Sequence, residues 1–464
     1  DLATGKIDET VMRIIEEVGF QVHSVAGLEL FRSAGAAVDE ENQLVRLPRE
    51  KVRELIETAP SEVMLYGQDE QHDIHLGGNR VYTGTGGTAL NVFNQETGET
   101  TVATLDDLKR IARLVDQLEN IHLFLLPTYP SDVPVEQVDV NRFYAGLDNT
   151  SKHVMGGLYT LDGLKRVIGM AEIIAGSAAS LRERPIMSMI ACTISPLTID
   201  GKYGDFTIAI ARSGVPVVCP AEPLCGATSP VTLAANVTMQ TVDSLMGVML
   251  AQLANPGTPA ILGSVATSTD LSNFGYLAGS VEMGLLNAAG AQMAQYYRLP
   301  FYATGGMTDS KVLDSQSGYE SAITVLLCAL AGANFIHDAA GLMEFAMTVC
   351  YEKYVIDNDI LGMVMRAVEG IKVNEETLAF DLIKEVGPGG NFVTAKHTRR
   401  FMRDEHYQPL VTNRDSRIDW EATGGKYTWE RAAERVKEIL ANDGRSLPVE
   451  TRSRVRSEIA GIVD

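Results

Sequence analysis

Pro185-Ile-Met-Ser-Met-Ile-Ala-Cys-Thr193, a stretch of helical spacing over 201–213, and then Val215-Pro-Val-Val-Cys-Pro220 set the reading of this chain. An apolar run of strand length leads into an amphipathic segment and then into a second apolar run. That order suits a strand, a crossover helix and a parallel strand. The alternation extends both ways. Runs at Val81–Phe93, Ile121–Tyr129 and His153–Tyr159 precede it, and runs at Pro259–Val265, Pro300–Ala303 and Asn334–Ile336 follow. Helical spacing recurs over 104–118, 134–148, 161–179, 230–254, 277–297, 315–331 and 350–369. Eight such units over about 290 residues predict an α/β fold, a (β/α)8 TIM barrel. A doubly wound sheet would usually have fewer strands, and no Gly-x-Gly-x-x-Gly follows the first run. Asp106 and Asp162 are the expected caps of the first and third helices.

The barrel is assigned to 79–370, with a further part on each side. Residues 1–78 read as an N-terminal helical cap. Val11, Ile14, Ile15 and Val18 recur at helical spacing, as do Leu28, Leu30 and Phe31 and then Val52, Leu55 and Ile56, with short strands and turns over 61–78. Residues 371–464 read as a helical C-terminal extension. It is rich in Arg, Glu and Lys, holds Trp420 and Trp429, and predicts an amphipathic helix over 429–441 and a polar terminal helix.

Of 464 residues, 45% are hydrophobic and 21% charged, values that suit a folded globular chain. Lys+Arg minus Asp+Glu is 39 − 60 = −21, which argues against nucleic acid or an anionic membrane as the main partner. Cys192, Cys219, Cys225, Cys328 and Cys350 sit among small or apolar neighbours, as reduced thiols of the cytosol do. No apolar run reaches the roughly 18 residues of a membrane span. Asp1–Gly5 shows no signal-peptide pattern and lacks an initiator methionine, as a shortened start would. A cytoplasmic location is expected.

Chemistry in such a barrel belongs at the carboxyl ends of the strands. Just past the runs stand Gly84–Thr88, Tyr129, Tyr159, Thr193, Ser195, Glu222, Thr267, Ser268, Gly305–Asp309, and His337 with Asp338. No Lys or Arg stands there, which counts against Schiff-base and phosphate-ester chemistry. His337 beside Asp338 suits a carboxylate anchor or acid–base work, or else a histidine satisfied within a polar mouth. Glu222 would face a cationic ligand or stabilise its own loop. Cys192, Cys219 and Cys225 with His337 have zinc-ligand chemistry, but Cys-x5-Cys with an intervening proline is not a zinc spacing, and no metal is expected. Gly84-Thr-Gly-Gly-Thr88 lacks the lysine of a phosphate loop and reads as a turn that lets a ligand approach backbone. Tyr129, Tyr159, Phe345 and Tyr351, with Phe93 and Tyr302, suit either a cation–π cage or ordinary packing.

Several blocks resemble the trimethylamine methyltransferase superfamily. They are Gly305-Gly-Met-Thr-Asp-Ser-Lys-Val-Leu-Asp-Ser-Gln-Ser-Gly-Tyr-Glu320, Ala331-Gly-Ala-Asn-Phe-Ile-His-Asp338, Tyr351-Glu-Lys-Tyr-Val-Ile-Asp-Asn358, and Gly387-Pro-Gly-Gly-Asn-Phe392 followed by His397-Thr398. Thr97-Gly98-Glu99 and Leu105-Asp-Asp-Leu108 fit its N-terminal half, so the likeness spans nearly the whole chain. The chain is similar to the branch without pyrrolysine. The resemblance implies methyl transfer from a quaternary amine to cob(I)alamin on a separate corrinoid protein, releasing a tertiary amine. Glycine betaine is the first choice, yielding dimethylglycine; proline betaine, carnitine and γ-butyrobetaine compete. A quaternary ammonium already carries its leaving-group charge, so the protein's work is desolvation and positioning.

Strand-end position then assigns candidates. His337 would hold a carboxylate, Asp338 and Glu222 would balance the cation, and Tyr129, Tyr159, Phe345 and Tyr351 would cage it. Gly86, Gly305 and Gly306 would let the corrinoid approach. A homo-oligomer is expected. Two other readings compete: a zinc-dependent thiol or alcohol methyltransferase on the same barrel, and a quaternary-ammonium binding protein without the reaction.

Overall fold

The computed structural model describes residues 2–442 and 444–463. Eight strands form the barrel: β1 (Tyr82–Thr83), β2 (Phe124–Leu125), β3 (Val154–Gly157), β4 (Met187–Ile190), β5 (Val217–Ala221), β6 (Ala260–Ser264), β7 (Phe301–Thr304) and β8 (Phe335–His337). Neighbours pair in parallel from β2 round to β8, and β8 pairs with β1 at Phe335–Tyr82 and Ile336–Thr83. A parallel bridge between Gly84 and Leu123 closes the ring. Each expected run contains one barrel strand. The first run splits: β1 keeps Tyr82–Thr83, while Asn91–Asn94 joins a four-stranded sheet with Glu99–Val102, Thr348–Cys350 and Leu342–Met343.

The helices follow their strands as α1 (Leu105–Asp116), α2 (Val138–Asn149), α3 (Leu161–Ala175), α4 (Gly201–Ser213), α5 (Leu233–Ala254), α6 (Val281–Tyr297), α7 (Ser315–Leu330) and α8 (Tyr351–Glu369). The caps of α1 and α3 differ from expectation. Thr104 and Thr160 accept from the amides of Asp107 and Gly163, and Asp107 closes a capping box on Thr104. Asp106 and Asp162 instead lie in the first turns, where a carboxylate meets the positive end of the helix.

Each of β2 to β8 or its immediate flank sends a side chain to the barrel axis: Leu123 and Leu125, Met155, Ile190, Val218, Ile261, Tyr302 and Phe335. A hairpin of Val63–Leu65 and Ile74–Leu76 plugs the amino end of this inner core. The part of the N-terminal cap before residue 61, expected to be helical, also carries strands Phe20–Val22, Ala37–Asp39 and Leu44–Arg46, joined by Thr198–Ile199. Their alternation is only three residues long, and helical spacing on either side masks it. In the C-terminal part, the helix expected over 429–441 runs from Thr428 to Leu440, and the terminal helix from Val449 to Glu458. This part is held to α8 by Asp359, which accepts from the amides of Leu410, Val411 and Thr412. Among the described residues no helix is long and apolar enough to cross a membrane.

Candidate active site

A cavity of about 360 Å³ opens at the carboxyl ends of the strands, floored by Leu125, Ile190 and Tyr302 from the top of the inner core. A larger cavity of about 580 Å³ lies at the opposite end. There Lys152 donates to the carbonyls of Val115, Leu118 and Ile121, and Asp69 pairs with Arg445, so those charges are already spent inside the protein. The carboxyl-end cavity is the one where the strand-end residues gather.

Two small sheets flank its mouth. The hairpin between Leu342–Met343 and Thr348–Cys350 presents Phe345, and the sheet of Leu224–Cys225, Thr267–Asp270 and Gly275–Tyr276 presents Tyr276. Of the expected residues, His337, Asp338, Glu222, Tyr159 and Phe345 line the cavity. Tyr129 stands behind, edge-on to Tyr159 with centroids 5.4 Å apart. Tyr351 turns away at the start of α8 and donates to Asp107 at 2.9 Å. The three glycines expected at the corrinoid are buried in backbone packing instead. A Cβ on Gly86 would lie 2.0 Å from Asp338 Oδ1, one on Gly306 2.5 Å from Ala339 Cα, and one on Gly305 3.1 Å from Thr324 O. Gly87 and Thr88 reach the cavity in their place.

His337 and Asp338 are each 3% exposed. The His337 ring stacks on Tyr302 at 3.8 Å; Nδ1 bonds to Ala303 O at 2.7 Å, and Nε2 lies 3.0 Å from Asp338 Oδ2. Both ring nitrogens are engaged, so His337 has no free N–H for a substrate carboxylate. Asp338 holds a left-handed backbone, φ +59°, and its Oδ1 is buried with no partner among the described residues. A buried carboxylate oxygen without a donor costs free energy.

Glu222 follows β5. Its side chain is exposed by surface area, with its carboxyl at the cavity among the Tyr276, His337 and Asp338 side chains. Desolvation, and then the Asp338 charge, push its pKa up to about 7. Cys192, after β4, is exposed by surface area and opens into the cavity, where desolvation by the surrounding walls and then the Glu222 charge push its thiol up to about 12. It stays protonated near neutral pH. Among the described residues no three His, Cys, Asp or Glu side chains gather as metal ligands would.

Arg142, Tyr203 and Tyr276 also line the cavity and fall outside the strand-end reading. Arg142 and Tyr203 come from α2 and α4: the strand ends carry no Lys or Arg, but a helix brings a cation to the mouth. Gly86 gives a direct test of the backbone that seats Asp338. Gly86→Ala should lower activity at least about tenfold, with a loss of stability of about 1–3 kcal/mol from overpacking. Initial rates and a denaturant midpoint check it.

The family model for trimethylamine methyltransferase (MTTB) matches residues 3–460. The chain belongs to the trimethylamine methyltransferase family. It is 37% identical over 436 residues to the trimethylamine methyltransferase MttB of Desulfitobacterium hafniense (strain DSM 10664 / DCB-2), covering 94% of this chain and 88% of that one. It is 33% identical over 438 residues to the glycine betaine methyltransferase of D. hafniense (strain Y51), covering 94% and 91%. The solved structure of the Methanosarcina barkeri monomethylamine methyltransferase (MtmB) covers 99% of this chain and 93% of its own at 10% identity, with a TM-score of 0.47. This trimethylamine methyltransferase family member is thus a methyltransferase with an acidic, aromatic cavity at its barrel mouth.

Proposed function

We propose that this methyltransferase takes its methyl group from a quaternary amine, glycine betaine first, and passes it to cob(I)alamin carried by a separate corrinoid protein. The observation that carries this reading is the pair of under-compensated carboxylates, Glu222 and Asp338, facing one cavity with Tyr276, Tyr159 and Phe345. Carboxylates balance a permanent cation, and tyrosine and phenylalanine faces attract it through their quadrupoles. The family relation supports methyl transfer from a methylated amine, and the glycine betaine methyltransferase among the relatives supports the quaternary class.

The corrinoid is the methyl acceptor, a substrate that a partner brings to the carboxyl ends and that supplies the cobalt nucleophile. Exposed apolar residues ring the mouth, among them Ile194, Val231, Leu271, Phe274 and Met347, which suits an acceptor protein resting there. The chain's own residues do the remaining work. The walls strip water from the ammonium, Glu222 and Asp338 hold it, and Leu125, Ile190 and Tyr302 bound its depth. Because the leaving amine departs neutral, no side chain has to protonate it, and Cys192 takes no part.

Glu222 sets a pH dependence. With its pKa raised to about 7, it is ionised above that value and neutral below it. A permanent cation binds the ionised form, so affinity should climb between about pH 6 and about pH 8 and level off above. Calorimetric titration with tetramethylammonium across that range checks the sign. A flat profile removes Glu222 from the site. The reaction itself is tested with purified protein, reduced corrinoid and a panel of methylated amines, following corrinoid methylation by absorbance. Turnover of quaternary amines is expected; turnover of trimethylamine alone contradicts the substrate class.

A further inference from the structure

Arg142 is 1% exposed and forms part of the cavity wall. α2 carries it under the carboxyl ends of β2 and β3. Its Nε donates to Thr128 O and its Nη2 to Leu126 O, each at 3.0 Å, and its Nη1 donates to Tyr159 OH at 3.4 Å. A guanidinium has five N–H donors, so two remain open among the described residues. Among the described residues its charge also lacks a dedicated carboxylate. Asp139, one turn earlier on α2, feels that charge, but its oxygens accept from Tyr159 N, Thr160 N and Thr160 Oγ1. Beside it, Thr128 Oγ1 is buried with no partner. Carbonyl oxygens alone are weak compensation for a buried cation, which ordinarily finds an anion.

We propose that Arg142 is the anion-holding end of the cavity and that it receives the carboxylate of a zwitterionic substrate. The open guanidinium donors and the Tyr159 hydroxyl, both on the cavity wall, offer a charge-assisted cradle for such a group. The strand order sets the polarity. Arg142 enters beside β2 and β3, whereas Tyr276 follows β6, across the eight-stranded ring from β2, and Glu222 follows β5, two strands on from β3. A quaternary ammonium lying toward Glu222 and Asp338 then places a carboxylate borne by the same molecule toward Arg142. The inference rests on the quaternary-amine reading and narrows it. An amine without an anion would leave Arg142 uncompensated and be repelled by it, so this residue separates betaines from simple methylamines. It also takes over the carboxylate role expected of His337, whose nitrogens are engaged.

The test is calorimetry on the full chain with a matched ligand pair, glycine betaine and choline, which share the trimethylammonium head. The wild type should bind glycine betaine about ten- to a hundredfold more tightly, the range of a charged hydrogen-bonded contact. Arg142→Met should remove that preference while leaving choline affinity equal or improved, because a repelling cation has gone. Arg142→Lys, which keeps the charge and loses the fork, should retain part of the preference, and it carries the test if Arg142→Met fails to fold. Equal binding of both ligands by the wild type overturns the role of Arg142 and leaves the quaternary-amine reading standing. A parallel loss for both ligands in a folded Arg142→Met marks a merely structural arginine and overturns it as well. Binding of neither ligand by the wild type overturns the quaternary-amine reading and this inference together.

Discussion

Asp338→Asn should lower kcat/KM for a quaternary amine about a hundredfold while the protein stays folded. Asparagine tolerates the left-handed backbone that this position requires, φ +59°, and has the same shape. What it removes is the charge. A unit cation about 5 Å from a carboxylate gains about 3 kcal/mol at an effective dielectric of about 20, a factor of roughly a hundred. The Oδ1 atom lies buried against Gly86 without a polar partner, so nothing within the protein offsets the charge at that end. Steady-state kinetics with a neutral-pH buffer and a circular dichroism spectrum measure the two halves of the prediction. An unchanged kcat/KM would mean that Asp338 only orders its neighbour His337. An unfolded variant would mean that its role is in the β8 turn.

The largest effect on stability is expected at Lys353. Lys353 and Asp357 lie one turn apart on α8, and both side chains are 1% exposed. Lys353 Nζ reaches Asp357 Oδ1 at 2.9 Å, Oδ2 at 2.8 Å and Ser321 Oγ at 2.8 Å. Asp357 in turn accepts from Gly341 N at 2.8 Å. Every strong donor to this buried carboxylate is thus accounted for. Lys353→Met strands the charge of Asp357 and should cost about 3–5 kcal/mol, whereas Lys353→Met with Asp357→Leu should recover most of that loss. Urea denaturation of the two variants beside the wild type reads the difference. The pair also supports the site, because Gly341 follows Asp338 by three residues and packs against the Tyr354 ring, where an added Cβ would lie 2.2 Å away. A double variant as unstable as the single one would show that the methionine, not the orphaned charge, does the damage.

The barrel was legible because its two periods alternate without interruption. Each apolar run fell on a strand, and each segment of helical spacing fell on a barrel helix within a few residues. The short strands of the N-terminal part were not legible, since a three-residue alternation such as Phe20–Val22 is too brief to stand out beside helical spacing. At the site, position past a strand end located His337, Asp338, Glu222 and Tyr159, because the carboxyl ends of a parallel barrel all open on one mouth. The same rule overreached at Tyr351, which starts α8 and turns outward to Asp107.

Arg142 was out of reach for a different reason. α2 is buried along nearly its whole length, polar residues included: Asp139, Asn141 and Arg142 are all inside. Periodicity assigns charged helix residues to solvent, so an arginine that tucks beneath two strand ends looks like surface. Tyr276 was hidden likewise, by a loop hairpin too short to be read as strands. A charged residue on a helix without a polar face is the signal that would have found Arg142.

The central claim is methyl transfer from a quaternary amine to a corrinoid. Its most direct measurement is a single turnover of glycine betaine labelled with carbon-13 in its N-methyl groups, in the presence of the purified chain and a reduced corrinoid protein. Mass spectrometry then follows the label on the corrinoid and the appearance of dimethylglycine. One labelled methyl on the corrinoid is expected for each dimethylglycine formed, and none without the chain. Tight binding of glycine betaine with no label transferred to any corrinoid protein tried would contradict it and leave a binding protein in its place.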